Sequence, residues 1–258
     1  MKNFLLPVFC AVVQVLNAQE LISFTDENDK SGFQDENENV VIAPRYDVAY
    51  DFSEGLAAIS IEDKWGFIDK TGKEVIPLKY AGAGNFHDGV APVSIDGKWG
   101  VIDKTGKLVV PMKYNEMGSF SEGRSYVMLN EKWGFIDAAG KEVIPLKYDA
   151  VGSFTNGFVE VNIGGKVIEE VGEFMGGKWG YIDKSGKEIT PCKYDYAHQF
   201  YEGMAIVRIG KKYGYIDETG KEVIPFIYDE AESFDGGLAS VTIGDRSFTI
   251  DKTGKEVK

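Results

Sequence analysis

Residues 64–80 read KWGFIDKTGKEVIPLKY, and the same words return along the chain. They recur as KWGVIDKTGKLVVPMKY from 98, KWGFIDAAGKEVIPLKY from 132, KWGYIDKSGKEITPCKY from 178 and KYGYIDETGKEVIPFIY from 212. One column holds Trp65, Trp99, Trp133, Trp179 and Tyr213, at steps of 34, 34, 46 and 34 residues. All four tryptophans of the chain stand in it. Tyr46, Phe52 and Gly72 head further columns with the same step, ending at Tyr228, Phe234 and Gly254. Two degenerate units flank the series, with Ser31 placed 34 before Trp65 and Ser247 placed 34 after Tyr213. Seven units therefore fill residues 19–258 as one repeat domain, because a fixed period of this length marks a repeat architecture.

Each unit reads as three strands. The first is LAAISI at 56–61 and its copies. Alternate apolar positions there (the Ile59 and Ile61 columns) predict one buried face. The second is WGFID, with an unbroken isoleucine column at Ile68, Ile102, Ile136, Ile182, Ile216 and Ile250. The third, KEVIPLKY, contains a proline that cannot donate to a ladder, so it belongs at a sheet edge or at a break. Two-residue links such as Asp96-Gly97 predict tight hairpins between strands one and two. Asp-Lys-Thr-Gly predicts a type I turn closed by a left-handed glycine between strands two and three. Twelve extra residues enter between Gly157 and Trp179, around 166–177, and read as a lengthened hairpin; Gly164-Gly165 and Gly176-Gly177 read as hairpin tips.

The K-W-G-x-I-D-x-x-G-K-x-V-I-P-x-x-Y core resembles the bacterial WG repeat (WG β-repeat) family across residues 19–258. The resemblance implies a tandem β-repeat protein of bacterial origin, commonly exported, with interaction roles and no catalytic residues to transfer. Departures are Ser31, Ser247 and Tyr213 in the Trp column, and Pro44, shifted one place relative to Pro77. The fold expected is all-β, with three-stranded antiparallel units of about 34 residues stacked as an open twisted array. A closed seven-bladed β-propeller is the alternative. The open array is preferred because both end units lose the tryptophan, which would be a liability on an uncovered face.

The N-terminus is a different text. MKNFLLPVFCAVVQVLNAQE has Lys2, then an apolar run from Phe4 to Leu16. That run is too short for a membrane span of about 20 residues and fits a secretory leader cut after Ala18. The protein is accordingly expected to be exported, to the periplasm, cell surface or medium. Leader removal takes Cys10 and leaves Cys192 as a lone thiol, read as buried and inert. The formal charge of −13, from 28 basic and 41 acidic residues, opposes nucleic-acid binding.

No catalytic constellation appears, and no cofactor, metal site or enzyme activity is expected. His87 and His198 occupy different columns and read as exposed loop residues. Aspartates from Asp69 to Asp251 recur at turns, where Asp is the favoured first residue; a calcium role finds no supporting pattern. Trp65, Trp99, Trp133, Trp179 and Tyr213 are the candidate binding residues, with a structural role between units weighted above it. The function read from this is a non-catalytic scaffold for a protein partner. Glycan or cell-wall binding through an aromatic ladder is the alternative.

Overall fold

A computed structural model describes residues 20–168 and 173–257. The leader reading of 1–18, with Cys10, lies outside these residues, as does the tip of the inserted hairpin at 169–172. Among the described residues there is no helix, and none therefore long and apolar enough to cross a membrane. The chain forms seven antiparallel sheets in sequence order, the first of three strands and the other six of four.

Unit 2 shows the pattern. Leu56–Ile61 pairs with Lys64–Asp69, which pairs with Glu74–Tyr80. A two-residue strand, Val48–Ala49, adds to the other side of Leu56–Ile61. Sequence periodicity gave three strands; this fourth is too short to carry a period. It arises because the third strand of unit 1, Val40–Tyr46, kinks once at Asp47 and runs on into the next sheet. The proline-bearing third strand lies at the sheet edge, where a missing N–H costs no ladder bond. The hairpin turns take the primed geometries that match strand twist. Asp96 and Gly97 both have positive φ, as do Glu62 and Asp63.

Six apolar cores hold the sheets together, one at each joint. Phe33, Ile42 and Tyr46 of unit 1 meet Ala57, Ile59 and Ile68 of unit 2. Phe67, Ile76 and Tyr80 of unit 2 meet Phe86, Val93 and Ile102 of unit 3, and the pattern repeats to unit 7. The isoleucine column is buried throughout. Among the described residues the six cores join consecutive units, from units 1 and 2 to units 6 and 7. Leu56–Ala58 and Ser60 are covered on both faces, whereas in unit 7 Leu238, Ser240 and Ile243 are exposed and only Ala239 and Val241 are buried.

Two sequence expectations need correction. The Ile61 column is not buried: Ile163 is 48% exposed and Ile209 43%, because the position lies beyond the neighbouring sheet's cover, at the strand end in Ile209 and inside the lengthened strand in Ile163. The Tyr80 column is fully buried. Its ring faces carry the preceding side chain, with Lys79 Nζ 5.0 Å from the Tyr80 centroid and Arg45 5.0 Å from Tyr46. The paired glycines are not hairpin tips. Gly165 pairs with Gly176 inside the strands Phe158–Ile168 and Glu173–Asp183, whose register continues out to Ile168 and Glu173.

Candidate functional site

The Trp–Gly dipeptide explains how strand three fits strand two. Trp65 pairs with Tyr80 and Phe67 with Ile76, so the third strand bulges opposite Gly66. A Cβ on Gly66 would stand 2.6 Å from the Ile76 carbonyl oxygen and 2.8 Å from the Leu78 nitrogen. Gly100, Gly134, Gly180 and Gly214 meet the same backbone at 2.5–2.7 Å. Glycine is needed here for space, since no side chain fits beneath the bulge.

The tryptophans face forward along the row. Trp65 packs on the core joining units 2 and 3, and Trp99, Trp133, Trp179 and Tyr213 pack on the four joints that follow. All five are half-buried, so open ring faces are offered only in part. This direction separates the two terminal serines. Ser247 lies exposed, where a tryptophan would meet water. Ser31 is buried in the first joint, and nothing in the structure explains the loss of tryptophan there.

The carboxylate columns are occupied by local duties. Asp69 Oδ1 accepts from the Thr71 N–H, the Thr71 hydroxyl and the Lys73 N–H. The Thr71 hydroxyl bond, then the turn amides, hold its pKa below the ordinary carboxylate value. Asp103, Asp183, Asp217 and Asp251 repeat this. A second set ties units together. Glu54 accepts from Lys104 Nζ at 3.0 Å and from the Gly89 N–H, both in unit 3, and the lysine lowers its pKa. Glu122 with Lys184 and Glu202 with Lys252 do the same between units 4 and 5 and units 6 and 7. At the intervening joints Ala138 and Glu218 stand in the lysine's column, so the clamp recurs at every second joint. A third set follows the Tyr column: Asp229 receives Lys212 Nζ and the Gly244 N–H, and Asp47, Asp149 and Asp195 do likewise. Ala81 and Asn115 break that set in units 3 and 4. Among the described residues no three His, Cys, Asp or Glu side chains are placed to hold a metal ion.

His87 is exposed, but His198 is not the free loop residue expected from sequence. Its ring stacks between Tyr196 and Tyr201, and Nδ1 is buried without a partner. Cys192 is half-buried against the joint of units 4 and 5, and burial raises its pKa.

Three surface features remain open to a partner. One is a rim of aliphatics at the strand-one hairpins, with Ile95, Ile163, Ile209 and Ile243 exposed and Ile61 and Leu129 half-exposed. Each pairs across its hairpin with a Lys or Arg, as Ile163 does with Lys178. The second is a groove of about 340 Å³ across units 2–4, bordered by Tyr50, Trp99 and Tyr126. The third, about 370 Å³, lies between units 6 and 7 beside Tyr196, Tyr213, Asp229 and Glu230. Sequence comparison singled out Trp99 and Tyr213. It missed Tyr50 and Tyr126, which stand in columns whose residues vary from unit to unit.

Blade-like antiparallel sheets stacked through repeated cores define a tandem β-repeat scaffold. A family model for the WG containing repeat matches residues 32–65, 65–99, 99–133, 133–166, 179–213 and 213–246. The chain belongs to this WG repeat family. No curated protein sequence matches it. Among solved structures it is similar to a eukaryotic initiation factor, at 12% identity and TM-score 0.53, covering 93% of this chain and 73% of that one. It is also similar to the dihydro-heme d1 dehydrogenase NirN in complex with DHE (14% identity, TM-score 0.46, 93% and 63% covered). A third is a protein of unknown function from Bacteroides caccae (13% identity, TM-score 0.31, 93% and 92% covered). The first likeness speaks for the fold alone, and that fold is β-propeller-like.

Proposed function

We propose that this protein is an exported, non-catalytic scaffold whose hairpin rim grips a protein partner. The observation that carries the reading is the rim itself. Ile95, Ile163, Ile209 and Ile243 hold one place in successive or near-successive units, exposed and unused by the fold. A regular row of exposed aliphatics beside cations is the form an interaction surface takes on a repeat array. The apolar run at 4–16 supports export.

Affinity capture with the exported protein tests it. Ile163→Ser, Ile209→Ser and Ile243→Ser combined should leave the circular dichroism and melting curve unchanged and remove a protein that the wild type retains from an envelope extract. Equal retention by the triple variant would refute the rim as the binding surface. Mass spectrometry of the secreted chain should find Gln19 as the first residue.

A further inference from the structure

The groove across units 2–4 differs from everything around it. The chain carries 41 acidic and 28 basic residues, yet among the described residues none that lines this groove is charged. The equivalent groove between units 6 and 7 has Asp229 and Glu230 in its wall. Ring edges and faces from three successive units border the charge-free groove: Tyr50, Trp99 and Tyr126. Each tyrosine is braced from behind. Tyr50 leans on Trp65 with centroids 5.1 Å apart, and Tyr126 meets Trp133 edge-on at 5.5 Å.

Glycines set the depth. A Cβ at Gly118 would fall 2.2 Å from the Tyr126 ring, and one at Gly82 would fall 3.0 Å from the Trp99 ring. Both rings therefore lie down on bare backbone. Two short polar side chains complete the lining. Ser119 Oγ lies next to Gly84, and Asn85 Oδ1 is buried with no hydrogen-bond partner. A buried acceptor without a donor is costly, and a ligand hydroxyl or amide N–H would relieve it.

We infer that this groove is a subsite for a neutral pyranose chain, whose ring CH faces rest on Tyr50, Trp99 and Tyr126 while a hydroxyl or acetamido group donates to Asn85. Aromatic faces beside a few amide and hydroxyl groups match the alternating CH faces and hydroxyls of a sugar. A cleft of about 340 Å³ stands at the small end of ligand sites, which run from roughly 300 to 1,000 Å³, and admits one or two sugar rings. The absence of charge selects against uronic acids and acidic peptides. The site shares no residue with the rim, and Ile163, Ile209 and Ile243 lie in units 5–7, so either can fail alone.

Calorimetric titration of residues 19–258 with cellohexaose, chitohexaose and hexagalacturonate tests the inference. At least one neutral hexamer should bind, with the charged one at least ten-fold weaker. Tyr50→Ala, on a ring 40% exposed, and Asn85→Ala should each weaken binding ten-fold or more without moving the melting temperature. Tyr213→Ala, in the acid-walled groove, and the triple rim variant should bind as the wild type does. Failure of both neutral hexamers to bind, stronger binding of hexagalacturonate, or binding indifferent to Tyr50 and Asn85 would overturn it. So would displacement of the bound sugar by a neutral peptide at equal concentration, since the groove would then be a peptide site.

Discussion

Glu160 is the residue most at odds with its surroundings. It sits in the column that holds Ala58, Pro92 and Ile206, turned toward unit 6 over the bare backbone of Gly152. Oε2 is buried and unpartnered. Tyr181 faces it from the neighbouring strand; burial raises the phenols of Tyr181 and Tyr196, and the field of the Glu160 charge adds to both. Burial pushes the Glu160 carboxyl up to about 7 from its ordinary value of 4.5. The folded state therefore holds this proton more tightly than the unfolded chain does. Its contribution to stability is fully present below 4.5 and is lost as pH rises through about 7. A shift of that size corresponds to about 3 kcal/mol. Glu160→Gln should match the wild type near pH 4 and be more stable by about that amount at pH 8. Denaturant titration at the two pH values measures this. Equal stabilities at pH 8 would mean that water or another group already satisfies the carboxylate.

At the scale of the strand, the bulge opposite each Trp–Gly pair is the feature that fixes the unit's shape. Gly134→Ala would drive a Cβ to 2.5 Å from the Ile144 carbonyl oxygen, so the third strand must lift off. Gly55→Ala is the contrasting case: φ is +90° but nothing lies within 4 Å. Overpacking costs typically 1–3 kcal/mol and a strained left-handed alanine about 1 kcal/mol. Gly134→Ala should therefore be the more damaging, by about 1 kcal/mol in chemical unfolding; the reverse order would show that the bulge yields. Strands, turns and the isoleucine face were legible in sequence because period-2 alternation and turn chemistry act locally. Other features were not legible, for distinct physical reasons. The two-residue fourth strand carries no period. The Ile61 column keeps the alternation but runs past the end of the sheet's cover. Tyr50, Tyr126 and Asn85 break their columns, and a repeat comparison reads only what columns share.

The molecule as a whole is a row of faces, each covered by the next. Unit 6 turns Met204, Ile206, Tyr215 and Ile224 toward unit 7, which buries them. Unit 7 turns the corresponding face outward, and there Ser240, Thr242, Ser247 and Thr249 replace most of the bulk. Leu238, 41% exposed, is what remains of the apolar pattern. This polar face is what a terminal repeat needs for solubility. A chain ending after Tyr228 would lose the cap and expose the unit 6 face. Burying an aliphatic or aromatic side chain is worth roughly 1.5–3 kcal/mol, so several such residues left wet favour self-association strongly. The truncated protein should migrate as dimers or larger species in size-exclusion chromatography with light scattering, and Tyr215→Ser with Ile206→Ser should return it toward monomer. A truncated chain that stays monomeric and melts like the full one would mean that unit 7 covers nothing of consequence.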